Sequence, residues 1–224
     1  MNKLNIKTWV TDMSYQKWLW GKMGEKCLKN LKKHGFDAHF SENCDTAAEL
    51  IMGMVTDFNS FGFAGSDTTR KLGLPEKLKQ QGKTIYDHWD PDLSPEENLH
   101  CRKQQMLADC FMCSANAISL TGEIVNADGV GNRTNAMSFG PKKVIVVAGM
   151  NKVVKNLDAA LDRIHEVAAP MRAKSLGIET PCGKTGICAD CNDPMRLCRI
   201  TTILHRRPMM TDLSVVLINE SLGF

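Results

Sequence analysis

Val144-Ile145-Val146-Val147-Ala148-Gly149 contains no polar position to turn toward solvent. A β-branched run of that kind reads as a strand covered on both faces, the mark of a parallel sheet. Leu157, Leu161, Ile164 and Ala168 follow at helical spacing, so strand gives way to helix. Outward from this unit, Leu213 to Ile218 reads as a last strand, and Ala117 to Leu120 and Glu123 to Asn126 as short strands joined at Thr121-Gly122. Ser94-Pro95-Glu96-Glu97 supplies a cap, an N1 proline and first-turn acids for a helix running to about Cys110. Phe61 to Ala64 reads as a strand entering Gly65-Ser66-Asp67-Thr68-Thr69-Arg70 and then a helix to about Gln81. Leu19, Met23, Cys27 and Leu31, and then Ala47, Leu50, Ile51, Met54, Val55 and Phe58, mark two amphipathic helices. The expected architecture is α/β: an open, mostly parallel sheet flanked by helices. It forms one domain over 1–224, with a helical N-terminal segment over 1–60 and a cysteine-rich loop over 181–199.

Composition narrows the function. The chain has 224 residues, 43% hydrophobic and 24% charged, enough for a large core and too apolar for extensive disorder. A net charge of +3 is too small for a phosphate-backbone binder, so no nucleic-acid partner is expected. Met1 to Val10 lacks the apolar centre of a secretory signal, and no stretch approaches ~18 uninterrupted apolar residues. The expectation is a cytoplasmic chain with no membrane partner, in which the nine cysteines are reduced thiols.

Four of those cysteines, Cys182, Cys188, Cys191 and Cys198, fall at Cys-x5-Cys-x2-Cys-x6-Cys spacing in a loop containing Pro181, Gly183, Gly186 and Pro194. Thiolates on an unconstrained backbone can converge on one inorganic centre. The donor set suits tetrahedral zinc as well as iron–sulfur; iron–sulfur is the preferred reading, with zinc as the alternative. Lys184, Arg196 and Arg199 are placed to offset thiolate charge. Cys110 and Cys113, at the end of the expected helix, read as small hydrophobes, and His165 and His205 as surface or satisfied core residues.

Three loops follow strands and should share one edge of the sheet, where open α/β proteins hold ligands. Gly65, Ser66, Asp67, Thr68 and Thr69 offer small residues and a helix N-terminus to an anion, with Arg70 as a charge. Asp128, Asn132 and Arg133 lie in a second, glycine-containing loop, and Asn151-Lys152 projects beyond Gly149. Arg70 or Arg133 can pair a carboxylate bidentately. Asp128 is the candidate general base.

Asn116-Ala117-Ile118-Ser119, Gly122 to Asn126, Asp128 to Arg133, Phe139-Gly140-Pro141 and Gly149-Met150-Asn151-Lys152 together resemble the lactate-utilisation (LUD, DUF162) domain family. The resemblance continues through Ala169-Pro170, Ala173-Lys174, Pro181-Cys182 and Glu220 to Phe224. The four-cysteine loop points to its stand-alone, YkgG-like subgroup. The resemblance implies a fold similar to the ribose-5-phosphate isomerase and CoA-transferase group, in which Gly65 to Thr69 looks like the phosphate-holding loop. It also implies a redox-linked role in lactate or related hydroxy-acid utilisation, alongside iron–sulfur partner subunits, and a small anionic metabolite as ligand. Self-association is compatible with this. The alternative is a non-redox ligand-binding or isomerase/transferase-like protein with a structural zinc.

Overall fold

The computed structural model of the chain describes residues 13–224. In chain order these hold α1 (Met13–Lys33), β1 (Asp37–Ser41), α2 (Cys44–Met54), β2 (Ser60–Phe63), α3 (Asp67–Lys71), α4 (Leu74–Gln80) and β3 (Thr84–Asp87). Next come α5 (Pro95–Gln105), β4 (Cys110–Cys113), β5 (Ala117–Ser119), β6 (Ile124–Asp128), α6 (Asn132–Ser138), β7 (Lys143–Gly149) and β8 (Val153–Val154). The C-terminal part holds α7 (Leu157–Arg163), α8 (Ala169–Ser175), α9 (Pro181–Thr185), β9 (Ile200–Leu204) and β10 (Asp212–Ile218).

Six strands form a fully parallel sheet in the order β1-β10-β7-β4-β2-β3. The apolar run that announced β7 lies near its centre, with every residue buried. Its side chains alternate between two cores. Val144, Val146 and Ala148 join Phe111, Leu213, Val215 and Leu217 beneath α1 and α6, while Ile145 and Val147 join Phe61, Phe63, Val216 and Ile218 beneath α2 and α4. Each such Val or Ile contributes roughly 1.5 to 3 kcal/mol by leaving water. Ser94 and Glu97 close the expected capping box on α5.

Several expectations need correction. The segment over 1–60 is not wholly helical, because it includes β1, an edge strand; its first twelve residues lie outside the described residues. The helix expected to run through Cys110 stops at Gln105. Cys110 and Cys113 instead lie on β4, a buried inner strand whose four apolar residues divide between the two cores. The helix expected to reach Gln81 is broken at Gly73, whose φ of 64° departs from helical geometry. A second, four-stranded sheet, β8-β5-β6-β9, was not expected as a separate layer. It packs Ala117 and Val125 against Ala160 and Ile164.

Between α7 and α8, Ile164–Ala168 forms a π turn, one residue wider than α geometry. Among the described residues no helix is long and apolar enough to cross a membrane.

Candidate functional site

The carboxyl ends of β2, β4, β6 and β7 open into a cleft of about 330 Å³. Gly65 to Thr68 enter it after β2, Ser114 and Asn116 after β4, Asp128 to Arg133 from β6, and Lys152 after β7. Ile164, Ala168, Ala169 and Arg172 close one side, and Gly223 and Phe224 another.

The first expected loop is folded as the sequence suggested. Ser66 caps α3, its Oγ accepting from Thr69 N at 3.3 Å. Thr68 is buried and donates its hydroxyl to the Leu222 carbonyl at 3.3 Å. Thr69 is fully buried and does not line the cleft; its hydroxyl donates to Ser66 O. Gly65 packs against the Trp89 indole, and a Cβ there would collide with the ring.

Arg70 does not wait for a ligand carboxylate. Its Nη2 donates to both oxygens of Asp87, at 2.7 and 2.8 Å, and its guanidinium stacks on Trp89 at 4.4 Å. Arg172 stacks on the same ring at 4.6 Å and stands 3.7 Å from Asp67. The indole therefore lies within reach of two cations, of which only Arg70 has a close carboxylate pair.

Asp128 is similarly committed. One oxygen accepts from Arg133 Nε at 2.8 Å and the other from Thr134 N at 3.0 Å, so the carboxylate both caps α6 and anchors the arginine. Arg133 also donates to Asn116 Oδ1 and to Ala127 O. These bonds hold Arg133 at the cleft wall and commit both oxygens of Asp128, the expected general base, to anchoring it and the start of α6. Asn132 joins a chain in which Arg102 donates to its Oδ1 at 3.1 Å and its Nδ2 donates to Gln105 Oε1 at 3.0 Å. Gln105 Nε2 lies 2.8 Å from His88 Nδ1. Burial, and next the charge of Arg102, push His88 down to about 4, so the imidazole is neutral at physiological pH.

Asn151 was expected in the cleft and is elsewhere. It accepts from Leu222 N at 3.0 Å and donates to Gly223 O at 3.2 Å, tying down the C-terminal segment. The neighbouring Lys152 enters the cleft instead. Its Nζ donates to Ser114 Oγ at 2.9 Å and to Thr68 Oγ1 at 3.3 Å, and among the described residues it has no ion-pair partner. Burial, reinforced by Arg163 and Arg133, pushes its ammonium down to about 7. Burial likewise holds Arg102, Arg163 and Arg172 below the usual guanidinium range.

The cysteine loop borders the cleft through Leu197 and Cys198. Chemically its four thiols suit a metal centre, but their placement does not: among the described residues no three His, Cys, Asp or Glu side chains gather as an ion would require. Cys182, Cys188, Cys191 and Cys198 are half-buried and free, and Cys188 Sγ stands 3.7 Å from His165 Nδ1. Of the loop arginines, Arg196 bears on one sulfur: Asp190 and then the Cys198 thiol hold its guanidinium above the usual range. It also donates to the carbonyls of Cys191 at 2.7 Å and Cys198 at 3.0 Å, and Arg199 donates to those of Arg196 and Pro194.

Sequence reasoning placed Asn151-Lys152 together at this edge but carried only Asn151 into the ligand site, and it missed Ser114, Trp89, Arg102 and Arg172. In the tight turn Met150–Lys152 successive side chains point about 120° apart, which sends the two neighbours to different places.

A family model described as the LUD domain matches residues 24–218. Among solved structures, the chain is similar to a DUF162 family protein from Deinococcus radiodurans, with 13% identity, a TM-score of 0.52, and coverage of 89% of this chain and 98% of that one. At that identity the likeness is one of fold. None of the curated proteins compared with the chain matches it.

Proposed function

Because the chain belongs to the LUD domain family, and so to a group with a role related to lactate utilisation, we propose that its cleft binds a small hydroxy or oxo acid through the carboxylate. One observation carries the reading. Four cationic side chains, Arg102, Arg133, Lys152 and Arg172, line a cleft to which Asp67 and Asp128 contribute the carboxylates, and Lys152 is buried with hydroxyl partners alone. Buried positive charge without a counter-ion is costly, and an anionic ligand relieves that cost. Arg172 keeps donors free, since Asp67 is its distant partner at 3.7 Å, and a guanidinium can take a carboxylate through two parallel bonds.

This reading routes no step through Cys182, Cys188, Cys191 or Cys198, since among the described residues no three metal-ligating side chains gather.

Titration with lactate, pyruvate and inorganic phosphate, followed by calorimetry and by Trp89 fluorescence with a Trp89→Phe control, tests the reading. Lactate or pyruvate should bind. Arg172→Gln should weaken that binding about tenfold, the worth of one charge-assisted hydrogen bond. If phosphate alone binds, the occupant is a phosphate ester instead. If none of the three binds, the cleft is not an anion site.

A further inference from the structure

Lys152 is more deeply buried than carboxylate binding alone requires. A surface arginine holds a carboxylate without the cost of desolvation, whereas this amine is 3% exposed and reaches the cleft from the turn after the central strand β7. Its surroundings hold it in place without fixing its charge. Ser114 Oγ and Thr68 Oγ1 accept its protons at 2.9 and 3.3 Å, and a hydroxyl serves an amine as readily as an ammonium. The charged and titratable groups that bear on it come from four elements: Asp67 on α3, Cys113 on β4, Arg133 on α6 and Arg163 on α7. Two of these are cations, and Asp67 stands beside Arg172.

On the reading of the cleft as a carboxylate site, we propose that Lys152 is a nucleophilic amine that condenses with the keto group of a bound 2-oxo acid to form an imine. The Nζ lone pair adds to the keto carbon, and the carbon–oxygen π pair moves to oxygen, giving a carbinolamine once a proton passes from nitrogen to that oxygen. Loss of the oxygen as water, which carries away both amine protons, leaves the C=N bond. No oxidant or reductant enters the balance. Ser114, hydrogen-bonded to Nζ, is placed to relay the proton. Arg172, on the same cleft, supplies the carboxylate partner. Burial and the two neighbouring arginines hold the amine at about 7, so a large share of it is unprotonated at neutral pH.

Incubating the full chain with pyruvate and cyanoborohydride, followed by peptide mapping, reads the imine directly. Reduction fixes the adduct as a secondary amine. Labelling should concentrate on Lys152, about a hundredfold or more above exposed lysines, whose ordinary pKa near 10.4 leaves little free amine. Lactate should suppress it by occupying the cleft without condensing, and lactate alone should give no adduct. Lys152→Arg should lose the label. If that variant fails to fold by circular dichroism, the wild-type map still decides. Label spread over surface lysines, or none, overturns the proposal. If calorimetry shows pyruvate bound while Lys152 stays unlabelled, the imine falls and the carboxylate cleft stands; if pyruvate does not bind, both fall.

Discussion

The cleft and the cysteine loop meet at Leu197 and Cys198, yet they are held by opposite means. In the cleft, side chains bond across long stretches of chain: Lys152 to Thr68, Gln105 to the Phe63 carbonyl, Arg102 to Asn132. In the loop, guanidinium groups bond to backbone carbonyls a few residues away, as Arg196 does to Cys191 and Cys198. The first arrangement is imposed by the sheet, since parallel strands deliver their carboxyl ends to one edge whatever lies between them. The second is local, and among the described residues it gathers no three metal-ligating side chains.

The largest effect should come from cutting the long-range bonding of the cleft. Asp128→Ala strands a half-buried Arg133 and removes the cap from Thr134 N, and should cost about 3 kcal/mol in urea unfolding. A loss under about 1 kcal/mol would mean the ion pair contributes no more than a surface one. Next in size is a pH effect confined to the cleft. Lys152 is held at about 7 against an ordinary lysine value of 10.5. Between those values the unfolded chain binds a proton that the folded chain does not, so stability rises with pH across that window and is lost as pH falls through about 7. The wild-type minus Lys152→Met difference in unfolding free energy should show this slope, amounting to a few kcal/mol at most. A flat difference from pH 7 to 10 would place the amine in water.

On the loop side the effects should be smaller and confined to it. Arg196→Ala should speed proteolytic cleavage between Cys182 and Cys198 while leaving lactate or pyruvate affinity within about twofold, because its partners are loop carbonyls and Asp190. A large loss of affinity would join the two regions into one site. The smallest effect should follow metal removal: anaerobic treatment with a chelator should leave the melting temperature unchanged. A fall, together with iron or zinc in the untreated protein, would show that the loop closes on a metal, and the contrast between the two regions would disappear.

The central strands and the loops after them were legible because a parallel sheet writes its inner strands as continuous apolar runs. Lys143–Gly149 and Asp212–Ile218 are such strands, and the positions after β2, β6 and β7 follow from them. The edge strands β1, β3 and β9 have half-exposed residues and no such run. Cys110 to Cys113 was ambiguous for another reason, since a four-residue apolar run fits a buried strand or the last turn of a helix. In the site, the loops were found and their occupants only in part. Trp89, Arg102 and Arg172 reach the cleft from a loop and two helices whose local sequence carries no sign of it, and Lys152 differs from Asn151 only by one step around a tight turn.

The wide turn at Ile164–Ala168 fixes the aim of everything after it on the α7–α8 arm. Each residue of an α-helix turns the chain by about 100°. Dropping His165, Glu166 or Val167, none of which lines the cleft, would restore regular winding and swing Arg172 off the indole. A lineage could thus retune which small molecules the cleft accepts by a single-codon length change, without substituting any residue that lines it.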